Sequence, residues 1–371
     1  MSLKCGILGL PNVGKSTLFN SVSSGKAEAA NFPFCTIEPN LGVVTVPDER
    51  LDELSKLVNP TKTTPTTVNF VDIAGLVKGA SKGEGLGNKF LSNLKEVDLL
   101  IHVIRCFDND NITHVNGKID PVTDKEIIDY ELIIKDIETI DKRTYKIKTP
   151  AVTGDKEKKT EYDILLKCKA FLEDGKSLRN LDLGSNEMNS INHLNLITIK
   201  PLIYVANIDE SLISEENNHV KNLKSIAYSE NINIIKICAS LEEQLYELRE
   251  EEKQLFLDDY GIEESGLDKL IKVSYHTLDL ITYFTAGEKE VRAWTVKRGS
   301  RAPHAAGVIH TDFEKGFIKA EVINYNDYIK YGSELKCKEN GKLSVEGKDY
   351  LVNDGDIMHF RFNVWLKWLN F

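Results

Sequence analysis

A chain of 371 residues, 41% of them hydrophobic, is long enough for two or three domains with cores of their own. Its formal net charge of −10 excludes a protein that coats nucleic acid indiscriminately, because phosphate binding needs concentrated Lys and Arg; a DNA partner is not expected, although local basic patches remain open. The cysteines at 5, 35, 106, 168, 238 and 337 form no C-x-x-C pair and the chain has no apolar run of 18 residues, so reduced thiols, no membrane partner, no signal peptide and a cytoplasmic monomer are expected.

Short apolar, β-branched runs recur at 3–8, 41–46, 67–71, 99–104, 201–206 and 232–237. Most end in a polar or glycine-rich loop followed by a helical pattern, which predicts a doubly wound α/β sheet with its ligand at the carboxyl ends of the strands. After the first run comes Gly9-Leu10-Pro11-Asn12-Val13-Gly14-Lys15-Ser16, a match to G-x-x-x-x-G-K-[ST] leading into the helical Thr17-Leu18-Phe19-Asn20. Backbone N–H groups of such a loop converge on a β-phosphate, the helix N-terminus adds its positive end, Lys15 neutralises the β and γ oxygens, and Ser16 offers a hydroxyl to Mg²⁺. A purine nucleoside triphosphate with Mg²⁺ is therefore the expected ligand.

The loop Asn31-Phe32-Pro33-Phe34-Cys35-Thr36 precedes the second run; Thr36 is either a second Mg²⁺ ligand and γ-phosphate sensor or a turn residue. Cys35 beside it would disturb that sensing if its thiol were modified. The third run ends in Asp72-Ile73-Ala74-Gly75, where the carboxylate can hold Mg²⁺ through water and the Gly75 backbone can approach the γ-phosphate. In switch GTPases a glutamine follows that glycine and orients the attacking water; here Leu76 stands there and cannot. Glycines at 75, 79, 83, 85 and 87 suit a mobile switch. His114, on the loop after the fourth run, is the best substitute for the missing glutamine, or else a loop histidine bonded to a neighbour. His102 lies inside that run and reads as a satisfied core histidine.

About 95 residues separate the fourth run from the fifth, far beyond a simple crossover. Residues 123–197 therefore read as an insertion. Ile127, Tyr130, Ile134 and Ile137, then Tyr162, Leu165, Leu166 and Leu172, keep helical spacing on either side of a breaker cluster at Thr149, Pro150 and Gly154, which predicts an antiparallel two-helix hairpin or two separate surface helices. The fifth run is followed by Asn207-Ile208-Asp209-Glu210 in place of the guanine-reading N-K-x-D. Without the lysine and the placed aspartate, ATP should be preferred over GTP, with backbone near Ile208 reading the adenine edge and Cys238-Ala239-Ser240 supplying the remaining base-facing loop. From 280 to 363 short alternating segments with turns at 339–341 and 353–356 predict a small mixed sheet.

On residues 9–16, 31–40 and 71–87, on Ile112-Thr113-His114-Val115, on 207–210 and on Phe284-Thr285-Ala286-Gly287 through 317, the chain resembles the Obg-like ATPases of the YchF type. The resemblance covers nearly the whole length. It implies a G domain over 3–257 interrupted by the hairpin, a β-grasp TGS domain over 279–364, preference for ATP, association with ribosomes, and use of His114 in hydrolysis. By position it assigns Asn12, Val13, Gly14, Lys15, Ser16, Thr17 and Ile208 to nucleotide contacts, and Ser16 and Thr36 to Mg²⁺; from the base-facing loops themselves, Asn207, Glu210 and Ser240 are expected at the nucleotide as well. The apolar ending at 365–371 and the hairpin sequence depart from the family pattern. A nucleotide-controlled switch is the expected function, a binding scaffold with incidental hydrolysis the alternative; a metabolic kinase has no evident acceptor motif here.

Residues 142–159 hold seven Lys and Arg against two acids, and 291–304 hold Arg292, Lys297, Arg298 and Arg301 with no acid. Each is a solvated face or half of a two-point contact with ribosomal RNA, with Trp294 available for stacking.

Overall fold

A computed structural model describes residues 3–23, 40–73, 93–109, 111–114 and 117–363. They form two compact units, one built from the described residues of 3–44 and 69–270, the other joining 45–68 to the chain from Ile271 onward. In chain order the strands are β1 (Leu3–Leu8), β2 (Leu41–Thr45), β3 (Lys62–Thr64), β4 (Thr67–Asp72), β5 (Leu99–Arg105), β6 (Leu202–Asn207), β7 (Asn233–Ile237), β8 (Leu280–Ala286), β9 (Glu290–Lys297), β10 (Phe317–Asn324), β11 (Leu343–Glu346) and β12 (Asp356–Phe362). Four helices matter below: α1 (Lys15–Ser23), α2 (Glu49–Val58), α3 (Pro121–Val152) and α4 (Lys156–Glu173).

The first sheet runs β2-β4-β1-β5-β6-β7, and the β1–β5, β5–β6 and β6–β7 pairs are parallel. Every residue of β5 and β6 is buried. That is why both read as near-continuous apolar runs without alternation, broken in β5 by His102 and Arg105, since a parallel strand is covered on both faces.

The insertion folds into two long helices. Asp120 caps α3 by accepting from the Val122 and Thr123 N–H groups, and Asp155 caps α4 by accepting from Lys158 N–H. Ile133, Ile140 and Ile147 recur every seventh residue on α3 and pack with Ile164, Leu165, Cys168 and Leu172 of α4. Two helices joined by three residues with one shared core form the antiparallel hairpin, and Arg143 bridges them through Glu161 at 2.6 Å. The break falls at 153–155 rather than at Pro150, which α3 tolerates inside its last turn because little helix remains beyond it to lose. At the hairpin root, buried Asp136 accepts from Ile197 N (2.8 Å), Thr198 N (2.7 Å) and Thr198 Oγ1 (2.6 Å), fastening α3 to the approach to β6.

The second sheet runs β11-β10-β12-β8-β9-β3. It is mixed: β8–β9, β10–β11 and β10–β12 are antiparallel, β12–β8 and β3–β9 parallel. Successive residues of β8 serve opposite faces. Tyr283 joins a core with Phe317, Met358 and Phe360, whereas Phe284 joins Leu51 and Leu54 of α2 with Val291 and Ile357. The sequence places 45–68 within the nucleotide domain; in the structure this excursion packs with the C-terminal unit, pairing Thr63 with Val291. The strand Lys62–Thr64 is too short and polar to be read, and the apolar side of α2 is covered only in three dimensions.

The described cysteines, 5, 106, 168, 238 and 337, are buried and form no disulfide with one another; Cys35 lies outside the described residues. Among the described residues no helix is long and apolar enough to cross a membrane.

Candidate nucleotide site

The glycine loop leaves β1 and enters α1 through backbone that only certain residues adopt easily: Gly9, Asn12 and Gly14 have φ of 152°, 61° and 96°. At Gly14 a Cβ would stand 2.1 Å from the Asn207 amide nitrogen, so both conformation and space require glycine. Asn207, buried at the end of β6, donates to the Val13 carbonyl at 2.9 Å and accepts from Ala239 N–H at 3.0 Å. It straps together the loops after β1, β6 and β7. Leu18 N–H donates to the Gly14 carbonyl at 3.0 Å and closes the first turn of α1. Val13 is buried, Thr17 half-buried and Ser16 exposed.

Lys15 lies 8% exposed inside this loop, its ammonium donating to the Leu10 carbonyl at 2.6 Å. Burial lowers its pKa to about 8, against the opposing attraction of Asp72. Asp72 ends β4, its N–H donating to the Asn40 carbonyl at 3.1 Å. Burial raises the Asp72 pKa while Lys15 holds it down, and its Oδ1 is buried with no hydrogen-bond partner among the described residues. A carboxylate oxygen in that condition needs a partner, and a hydrated divalent cation beside a phosphate loop meets the need. The residues therefore fit Mg²⁺. Thr36, Gly75, Leu76 and the glycines at 79, 83, 85 and 87 lie outside the described residues.

The loop after β5 is built around a residue that the sequence reading missed. Arg105, 1% exposed, donates to the carbonyls of Phe107 (3.2 Å), Asn109 (3.0 Å) and Ile112 (2.9 Å), and its guanidinium sits 4.6 Å from the Phe107 ring centre. An arginine ending an otherwise apolar strand was the available signal. From the glycine loop, Asn12 Nδ2 donates to the Thr113 carbonyl at 3.1 Å, joining the two loops next to His114. His114 itself is 9% exposed, with Nε2 2.8 Å from Asp124 Oδ2 in the first turn of α3. His102 is in the core as expected, but it is not a satisfied histidine: its Nδ1 has no partner among the described residues, and burial drives its pKa to about 3, so it stays neutral.

In the base-facing loop the Ile208 N–H donates to the Ile237 carbonyl at 2.9 Å, so that donor is committed to closing β6 against β7. The Ile208 side chain is buried, Glu210 accepts a hydrogen bond from the Tyr260 hydroxyl, and exposed Ser240 contacts Cys238 Sγ at 3.3 Å.

The basic stretches also divide. At the hairpin tip Lys142, Lys146, Lys148, Lys156 and Lys159 are exposed, while Arg143 and Lys158 both pair with Glu161. In the C-terminal unit Arg298 pairs with Asp279 at 2.9 Å and Arg301 with Asp349 at 3.1 Å. Trp294 is not available for stacking as expected: its ring stacks with Tyr283 at 6.5 Å and carries Arg292 3.9 Å from its centre.

Glycine loop, strand-end aspartate and strand order define a P-loop protein with the GTPase fold. A family model described as "50S ribosome-binding GTPase" matches residues 4–148, and one for the C-terminal region of YchF GTPases, described as a protein of unknown function, matches 280–363. The Ribosome-binding ATPase YchF of Bacillus subtilis is 53% identical over 98% of this chain and 100% of its own length, and that of Escherichia coli O157:H7 is 52% identical over the same shares. The solved YchF GTPase of Schizosaccharomyces pombe superposes with a TM-score of 0.87 at 40% identity, covering 97% of this chain and 98% of that one. This chain belongs to the YchF family.

Proposed function

We propose that this chain hydrolyses ATP with Mg²⁺ and acts as a nucleotide-controlled switch on the ribosome. The observation that carries the reading is the buried Lys15 inside the glycine loop, coupled to an Asp72 oxygen with no partner among the described residues. The relatives named ribosome-binding ATPases support it. Mg²⁺ would be held by Ser16, Thr36 and Asp72, and when bound it would neutralise charge on the β and γ oxygens. Backbone N–H groups from Asn12 to Thr17 cradle the phosphates, Lys15 leaves the Leu10 carbonyl for the phosphate oxygens, Gly75 senses the γ-phosphate, and His114 orients the attacking water that Leu76 cannot.

Preference for ATP follows from the base loop. Guanine offers two adjacent donors that need a free, placed carboxylate, whereas Glu210 already accepts from Tyr260 and Ile208 replaces the lysine. Equilibrium titration with ATP and GTP should give tighter binding of ATP, and turnover should rise when purified ribosomes are added. Tighter GTP binding would remove the selectivity argument; turnover indifferent to ribosomes would favour a scaffold.

Ribosome binding should rest on the hairpin tip, because its five lysines are exposed whereas three of the four cations in the C-terminal stretch are engaged. Replacing Lys142, Lys146, Lys148, Lys156 and Lys159 with glutamine should weaken co-sedimentation and flatten its salt dependence, by about 0.7–0.9 in log–log slope for each phosphate no longer neutralised. An unchanged slope would place the ribosome-binding surface elsewhere on the protein.

Nucleotide affinity should also depend on pH. The Lys15 pKa is about 8 in the nucleotide-free chain, and a polyphosphate favours the charged ammonium, so binding takes up a proton above that pH. Affinity should be flat in this respect below pH 8 and fall toward the ordinary lysine value of 10.5, by up to about tenfold per pH unit. Calorimetric titration in buffers of different ionisation enthalpy checks the proton count, and no uptake above pH 8 would refute the assignment.

A further inference from the structure

Trp294, the aromatic expected to stack, is covered by Tyr283 and Arg292, but an open aromatic does stand on the other basic stretch. Tyr145, near the end of α3, is 86% exposed, and Val152 of the same helix is 76% exposed. At about 3.6 residues per turn, Val152 lies about 20° round the helix from Tyr145, whereas the core residues Ile140 and Ile147 lie about 140–160° away. The Tyr145 ring therefore leaves α3 on the side turned away from α4 and from the hairpin core.

Exposed apolar side chains scattered singly call for no explanation; what sets this one apart is its neighbours. Lys142 and Lys148, three residues before and three after, are both exposed and flank the ring, about 60° to either side and about 9 Å apart along the axis. Asp141, the acid on that face, is paired with Lys169 of α4 at 2.6 Å, and Asp155 is engaged as the cap of α4. Lys146, Lys156 and Lys159 extend the positive field over the rest of the tip. Tyr228 gives the contrast: it is 90% exposed, but the lysine four residues before it, Lys224, is paired with Glu216.

An open ring between two exposed ammonium groups matches a nucleotide strand, the ring taking a base face and the ammonium groups the phosphates on either side. It does not match an RNA double helix, where stacked pairs already cover each base face. An apolar protein groove would accept Tyr145 and Val152 only by stripping water from the lysines beside them. We propose that the hairpin tip recognises unpaired nucleotides of ribosomal RNA, with Tyr145 stacking on a base and Lys142 and Lys148 holding the adjoining phosphates. The proposal rests on the reading of the tip as the ribosome-binding surface, and adds that this surface selects looped or single-stranded RNA.

Co-sedimentation of the full chain with purified ribosomes across a salt series tests it, with melting temperature as the control for folding. Tyr145→Ala should weaken binding by about 5-fold to 150-fold, the range for losing one stacked base. Its log–log salt slope should match that of the unsubstituted protein, because a stacking contact releases no counterions. Tyr145→Phe, which keeps the ring, and Tyr228→Ala, which removes an equally open ring elsewhere, should bind like the unsubstituted protein. Undiminished binding of Tyr145→Ala, with a flattened slope in the lysine-to-glutamine variant of the tip, would overturn the stacking proposal and leave the tip reading intact. An unchanged slope in that lysine variant would overturn both. Loss in Tyr145→Phe or Tyr228→Ala as large as in Tyr145→Ala would also overturn the proposal. Photo-crosslinking from benzoylphenylalanine placed at position 145 identifies the partner directly. A crosslink to an unpaired ribosomal RNA nucleotide is expected, and one to a ribosomal protein or to a base-paired nucleotide would overturn the proposal.

Discussion

Lys15→Ala should lose ATP affinity by about 100-fold to 10,000-fold, since two charge-assisted contacts to phosphate oxygens contribute roughly 1.5–3 kcal/mol each. The ammonium is already inside the glycine loop on the Leu10 carbonyl, so nucleotide binding needs no long search by a flexible side chain. Its environment adds a contrast that distinguishes a binding role from a structural one. Burial pulls the Lys15 pKa down to about 8, which means that the nucleotide-free protein holds the charged form at a cost. Removing the ammonium should therefore not lower the melting temperature of the nucleotide-free protein, even as fluorescent-nucleotide titration registers the weaker binding. Normal turnover in Lys15→Ala would sink the P-loop assignment. A parallel collapse of stability would show that the lysine holds the loop rather than the ligand.

Arg105→Met should destabilise the nucleotide-binding unit by about 3 kcal/mol, because a buried guanidinium with three carbonyl partners is replaced by a side chain that can satisfy none of them. Methionine keeps most of the volume, so the destabilisation comes from the hydrogen bonds rather than from a cavity. The consequence for function should be larger than the position suggests, because the freed segment is the one that presents Thr113 to Asn12 and His114 to Asp124. Amide hydrogen exchange at 107–114 should speed up and turnover should fall, with ATP affinity much less affected because Asn207 still straps the glycine loop. Unchanged exchange in that segment would mean that Arg105 does not organise the loop.

The phosphate loop, the strand-end Asp72, the long insertion and the mixed C-terminal sheet were all legible in the sequence, because each depends on local spacing. A glycine loop needs its glycines at set positions, and a strand buried on both faces needs a near-continuous apolar run, as at 99–104 and 201–206. Helical repeats betray themselves by period, as Tyr162, Leu165 and Leu172 did. What the sequence could not reveal depends on partners far away along the chain. The polar strand Lys62–Thr64 has no apolar signature, and only pairing with β9 makes it a strand of the C-terminal sheet. Trp294 reads as an exposed stacking platform until Tyr283 and Arg292 pack on it. Asn207 reads as a base contact, yet its hydrogen bonds to Val13 and Ala239 span 194 and 32 residues. Only the fold brings the Asp124 carboxylate to the His114 ring, at 2.8 Å. Local geometry is written in residue spacing, whereas the partner of a buried polar atom is decided by which chain segments the fold brings within about 3 Å of it.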